Sequence, residues 1–186
     1  MYCFLSQSQS NLRHKALLGD TATGDETYIR VAGKHHYTFF FLDPKTHQIT
    51  AYHVAAERDV LAPTVALGEA VRTLPASLPL HFITDGNPSY VAGLHFLNAH
   101  RPPQQPAFTL SQVLGLQNLD ALSEQYRPFK QLIERLNRTY KYHVRSACGL
   151  ANRNGAVALT TLFVTFYNFL RPHLALKSRP PARFPS

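Results

Sequence analysis

The apolar positions divide the chain into a strand-rich opening and a helix-rich remainder. Three runs rich in Tyr, Phe, Ile, Val and Thr come first, at Glu26 to Val31, Tyr37 to Leu42 and Gln48 to Val54. The gaps between them hold Ala32-Gly33-Lys34 and Asp43-Pro44-Lys45-Thr46, which suit tight turns, so an antiparallel meander is expected. Asp59 then caps a helix expected to run to about Leu74, with Pro63 near its first turn and Pro75 as its stop. The short apolar strand Leu80 to Thr84 runs into Asp85-Gly86-Asn87-Pro88, and a second helix is expected from there to about His100. The proline-rich stretch Arg101 to Pro106 reads as a surface loop, and Phe108 to Leu116 as a further strand. Two helices, roughly Ser123 to Arg145 and Gly155 to Leu170, precede a Pro-rich basic tail.

A meander followed by strand–helix units is an α/β order, which gives a mixed sheet with helices on both faces. Sites in such sheets form at strand ends, near the point where the connectivity changes. Carboxylates at those ends are therefore the first candidates.

Length and composition fit one domain: 186 residues, 45% hydrophobic, with 12 Phe and 9 Tyr. The expected division is an N-terminal segment over 1–20 that is poorly ordered, a folded domain over 21–176, and a tail over 177–186. Cys3 and Cys148 are distant and unpatterned, so neither a disulfide framework nor a zinc motif is readable, and a reducing, cytoplasmic setting fits best. The longest apolar stretches, such as Val157 to Phe169, are too short to span a bilayer, so no membrane partner is expected. Charge changes the picture more than composition does. The net +8 is concentrated between Arg127 and Arg183, where eleven Lys or Arg residues accompany a single carboxylate, Glu134. Such a segment attracts a polyanion, and a divalent cation held by Glu134 would explain the one acid kept at its centre.

The other acids sort by context. Asp43 belongs to a hairpin turn, Asp59 and Asp120 to helix caps, and Glu57, Glu69 and Glu124 to solvated surface, leaving Asp25, Glu26, Asp85 and Glu134. Asp25 and Glu26 begin a strand, so alternation sends one to each face and only one is expected to join a given site. Asp85 sits at the C-terminal edge of a buried strand, where turn and cap chemistry would also explain it. At 100° per residue Glu134 shares a helix face with Arg127, Arg138, Lys141 and Arg145, while Phe129, Leu132, Leu136, Tyr140 and Val144 are expected to pack. An i,i+4 pair with Arg138, worth about 0.2–0.5 kcal/mol, is the plainer reading of Glu134. His35, His36, His47 and His53 lack the spacing and Cys partners of a zinc site.

Four stretches, GDETYIRVAGK, FITDGNPSY, YRPFKQLIERLNRTYKYHVR and FYNFLRPHLAL, occur in that order between Gly24 and Leu176. Together they resemble the DDE transposases of bacterial and archaeal insertion sequences, relatives of retroviral integrases with an RNase H-like core. The resemblance implies a five-stranded mixed sheet of order 3-2-1-4-5 flanked by helices, and Asp25, Asp85 and Glu134 as the catalytic, metal-binding triad. Two Mg²⁺ or Mn²⁺ ions would be held there, with Asp25 shared between them. It implies DNA contacts by Asn137, Arg138 and Lys141, to which Arg127, Lys130 and Arg145 on the same basic helix are added, with Arg171 and His173 from the tail. Tyr167, Asn168, Arg171, Pro172 and His173 match the family's YNF-RPH signature, given a mainly structural or DNA-backbone role. The implied partners are transposon ends and target DNA, handled by a homodimer or larger assembly.

Two departures stand beside the resemblance. About twenty unpatterned residues precede the core, where family members carry a helix-turn-helix or zinc-binding region, and the chain has no Trp. Two other readings remain open at this point: an RNase H-like nuclease that stops after hydrolysis, and a DNA-binding or dimerising fragment that modulates a full-length transposase without catalysis.

Overall fold

In the computed structural model the described residues are 19–73, 79–113 and 121–182, without the side chain of Leu122. The expected N-terminal tail up to residue 18, the helix stop at Pro75, the cap at Asp120 and the end of the basic tail lie outside them.

The meander forms as β1 (Thr21–Val31), β2 (Lys34–Leu42) and β3 (Ile49–Ala55), with both pairings antiparallel. Ala32 and Gly33 turn the first hairpin at φ 48° and 79°, the left-handed pair that matches strand twist. Asp43 organises the second turn from a fully buried position, accepting from Lys45 N at 3.0 Å, Thr46 Oγ1 at 2.8 Å and Gly19 N at 3.1 Å. β4 (His81–Thr84) adds parallel to β1, and β5 (Thr109–Gln112) parallel to β4. The five-stranded order is β3-β2-β1-β4-β5, as the resemblance implies. β1 begins at Thr21 rather than Glu26, because Thr21, Ala22 and Thr23 are the residues that pair with β4, a role their small side chains do not advertise.

Helices cover both faces. They are α1 (Leu61–Thr73), α2 (Pro88–Ala99), α3 (Ala121–Ser146) and α4 (Arg153–Thr165), the last continued by one π-helical turn over Phe166–Leu170. Asp59 Oδ1 accepts from Ala62 N at 3.0 Å, Asn87 caps α2 and Asn152 caps α4. Alternation along β2 splits the core: Phe39 and Phe41 pack with Phe82, Leu67 and Tyr90 beneath α1 and α2, while Phe40 packs with Ile133, Tyr140 and Phe163 beneath α3 and α4. Phe39, Phe40, Phe41 and Phe82 are fully buried and Phe163 nearly so, each worth about 1.5–3 kcal/mol by transfer alone.

Two details fix the frame around the strand ends. A Cβ at Gly24 would come within 2.3 Å of the Phe41 ring, so the residue before Asp25 has room for hydrogen only. On the outer edge of the sheet, Asn168 accepts from Ile49 N and donates to Ile49 O, both at 2.9 Å, clamping the π-helical turn onto β3. The signature residue Asn168 is therefore structural.

The packed stripe of α3 differs from the amphipathic expectation. Ile133, Leu136 and Tyr140 are buried, but so are Lys130 and Asn137, whereas Phe129, Leu132 and Val144 are only half-buried. The helix is rotated so that two polar side chains lie under it, and what they meet is Asp25.

Candidate active site

The pairing of β1 with β4 ends at Thr23↔Ile83, while β1 continues beside β2 to Val31. β4 stops at Thr84 and the chain turns into α2, so beyond Thr23 the β4-side edge of β1 has no partner strand among the described residues. Asp25 and Glu26 stand on that open edge, and Asp85 is the first residue past β4. One oxygen from each of Asp25, Glu26 and Asp85 lies within 4.8 Å of the others.

This corrects the expectation that only one of Asp25 and Glu26 can join a site. The two side chains do leave on opposite sides: Asp25 turns to α3 and Glu26 to the start of α2. With no strand in the way, both carboxylates bend around the edge and converge on Asp85.

Each carboxylate is held. Asp25 Oδ2 accepts from Asn137 Nδ2 at 3.2 Å, and its Oδ1 lies 3.4 Å from Lys130 Nζ. Glu26 accepts from Tyr90 OH at 3.0 Å and Asn87 Nδ2 at 3.4 Å, and forms an ion pair with Arg58. Arg58 also reaches Asp85 Oδ2 at 4.0 Å. Asp85 accepts from Asn87 N at 3.2 Å, and Gln112 of β5 donates to the backbone oxygens of both Asp85 and Asn87 at 3.0 Å. Asp85 thus performs the turn chemistry its neighbours suggested and joins the cluster as well.

Burial pushes the Asp25 carboxyl from 3.8 up to about 6; the Lys130 ammonium opposes the rise, and Asp85 and Glu26 add to it. Tyr90 is driven well above its ordinary value by burial and then by the carboxylates of Glu26, Asp85 and Asp25, so it stays a hydrogen-bond donor. The donors are hard oxygens within 4.8 Å of one another, and the buried Asn137 Oδ1 beside them has no hydrogen-bond partner. That set fits a divalent cation such as Mg²⁺.

Glu134 stands outside the 4.8 Å group. It is half-buried on α3, four residues after Lys130 and three before Asn137, the two residues of that helix that touch Asp25. Helical periodicity therefore puts its backbone on the stripe that faces the cluster. Of the α3 residues singled out in the sequence as DNA contacts, Lys130 and Asn137 are buried against Asp25, Arg138 and Arg145 are exposed, and Lys141 Nζ lies 4.4 Å from the Tyr28 ring centroid. Arg127 is half-buried near the start of α3.

Arg171 and His173 lie beside Tyr167: the guanidinium is 5.6 Å from that ring and the imidazole 4.6 Å. They line a groove of about 600 Å³ together with His47, Arg135 and Arg138. Burial lowers the affinity of His47 and His173 for a proton, and Arg135 and Arg171 respectively lower it further. Arg171 Nη1 and His173 Nε2 are buried there without partners. Sequence reasoning kept Glu26 among four candidate acids but left it out of the site, and it missed Arg58, Tyr90 and Arg135. Glu26 carried a signal in its adjacency to Asp25; Arg58, in a connection without periodicity, carried none.

Comparison with known proteins agrees with the fold. A family profile described as "DDE domain" matches residues 20–151, and one described as "Integrase core domain" matches 122–181. No curated protein matches the sequence. Among solved structures, the cryo-EM structure of a simian T-cell lymphotropic virus intasome superposes with a TM-score of 0.61 at 14% identity, covering 91% of this chain and 58% of that one. The HTLV-2 integrase catalytic core domain in complex with magnesium, in its dimeric form, gives 0.59 at 14% identity, covering 89% and 94%. This chain thus spans 58% of the intasome protein and nearly all of the isolated integrase core. At these identities the likeness is one of fold.

Proposed function

Because the chain belongs to the DDE transposase family, related to the retroviral integrases, we propose that it cleaves DNA at the ends of an insertion sequence and joins the resulting 3′-OH to target DNA. The observation that carries this reading is the convergence of Asp25 and Asp85, from two strands, within 4.8 Å at the sheet edge that α3 covers. Asp25, Asp85 and Glu134 would hold two Mg²⁺ or Mn²⁺ ions, with Glu26 in reach of the same position. Bound there, such ions neutralise charge on the attacking and leaving oxygens of a phosphodiester.

The chain's own residues do the rest. Asn137 and Lys130 fix the orientation of Asp25, and Gln112 and Asn87 fix the loop that carries Asp85, so the carboxylates are positioned before DNA arrives. Arg127, Arg138, Lys141 and Arg145 on α3 contact the backbone of the bound DNA, and Arg171 and His173 extend that contact through their groove. Lys130 and Asn137 act on the substrate through Asp25. Hydrolysis and strand transfer both exchange one phosphoester oxygen for another, so no covalent enzyme intermediate and no ATP are required. Two transposon ends must be brought together, which calls for a dimer or larger assembly on DNA.

The test is a pair of assays with Mn²⁺ or Mg²⁺: nicking of end-containing duplex, and joining of a precut 3′-OH end to plasmid. Asp85→Asn and Glu134→Gln should fold, bind DNA and lose both reactions. Nicking without joining would identify a nuclease instead, and retained cleavage in either variant would remove that residue from the triad.

A further inference from the structure

Among the described residues Arg58 is the only cation that reaches both Glu26 and Asp85. Three carboxylates converging within 4.8 Å repel one another, and two basic side chains offset that repulsion. Lys130 does so for Asp25 from a buried position on α3, its side chain 9% exposed. Arg58 does so for the other two from the connection between β3 and α1, and its side chain is 47% exposed. The difference matters. Lys130 is packed into a helix that must stay where it is, whereas Arg58 hangs from a short connection with water on one side.

Glu26 is fully engaged by Tyr90, Asn87 and Arg58, with its side chain 8% exposed. A carboxylate oxygen that faces a guanidinium does not face a metal ion, and a fixed positive charge beside the cluster disfavours a second one. We propose that Arg58 is a built-in counter-ion: it closes the Glu26–Asp85 side of the cluster in the metal-free protein, and a divalent cation binds there only as the guanidinium withdraws. Arg58 is on this account a positioning residue that sets metal affinity. The inference rests on the proposal above, that the carboxylate cluster is the metal site.

It follows that removing Arg58 has two effects of opposite sign. The metal-free protein loses compensation of Glu26 and Asp85 and melts at a lower temperature. Metal binding becomes tighter, because the competing charge is gone. A purely structural arginine would give the first effect without the second.

The experiment is calorimetric titration of the full chain with Mn²⁺, together with metal-free thermal melts, for the wild type, Arg58→Gln, Arg58→Lys and Asp85→Asn. Arg58→Gln should bind Mn²⁺ on the order of tenfold more tightly, as expected for removing one partly solvated charge near a divalent ion. Arg58→Lys, which keeps the charge, should stay near wild type, and Asp85→Asn should lose binding. If Asp85→Asn abolishes binding while Arg58→Gln leaves it unchanged or weaker, the counter-ion role is wrong and the metal site stands. If Asp85→Asn binds Mn²⁺ as the wild type does, or the wild type binds none, the metal site itself is misplaced and the role of Arg58 falls with it.

Discussion

Asn137 donates its side-chain amide to Asp25 Oδ2 at 3.2 Å, joining α3 to a strand 112 residues earlier in the chain. With Lys130 on the other carboxylate oxygen, this contact explains why two polar side chains are buried on the packed side of an otherwise amphipathic helix. It makes the helix a positioning device for Asp25.

Lys130 is the cation that opposes the upward pressure on the Asp25 carboxyl. Replacing it by Met, similar in length and uncharged, should raise the Asp25 pKa above its present value of about 6. Titration of the carboxyl carbon by NMR reads this directly. A pKa that stays put or falls would mean that the ammonium does not act on Asp25.

A raised carboxyl pKa has a defined consequence for stability. Asp25 goes from 3.8 to about 6 on folding, so its contribution is fully present below 3.8 and is lost as pH rises through about 6. The loss corresponds to about 3 kcal/mol at most. In metal-free urea unfolding, the wild type should therefore lose stability relative to Asp25→Asn between pH 4 and pH 7.5. Adding Mg²⁺ should restore the wild type alone at the higher pH. Parallel pH profiles for the two proteins would contradict the shift.

Asn168 occupies both backbone groups of Ile49, which is itself buried. Asn168→Ala should cost about 2–4 kcal/mol, since a donor and an acceptor are left unpaired away from water. Denaturant unfolding measures it, and a loss under about 1 kcal/mol would show that water replaces the clamp.

The groove beside α3 gives a prediction separable from chemistry. Arg135→Ala, Arg138→Ala and Arg171→Ala should each weaken DNA binding uniformly across sequences and reduce the slope of log K against log salt by about one per lost phosphate contact. Fluorescence anisotropy at several salt concentrations provides the slope. An unaltered slope in all three would remove the groove from the DNA path.

Much of this arrangement was legible in the sequence. Turn residues at Ala32-Gly33 and at Asp43, the three runs rich in Tyr, Phe, Ile, Val and Thr, and the cap at Asp59 specify the meander and the start of the helix that follows it. The order of the sheet came from the resemblance, and the strand pairings agree with it. Two things were not legible. Period-two alternation placed Glu26 away from Asp25, and it fails here because β1 loses its neighbour after Thr23, so nothing separates the two faces at that point. Lys130 and Asn137 were expected to contact DNA and not to pack, and the expectation fails because the surface beneath α3 is a carboxylate and not only an apolar core. Both failures have one cause: local patterns assume an ordinary sheet interior, and the carboxylate cluster interrupts it.

The central claim is that Asp25, Asp85 and Glu134 hold the ions that make the chain a DNA-cleaving enzyme. Anomalous scattering from a crystal soaked in Mn²⁺ tests it most directly. The account predicts anomalous peaks in contact with Asp25 and Asp85, with the Glu134 carboxylate turned in to join them. Peaks at other residues, or none at this cluster with Mn²⁺ in large excess, would contradict it.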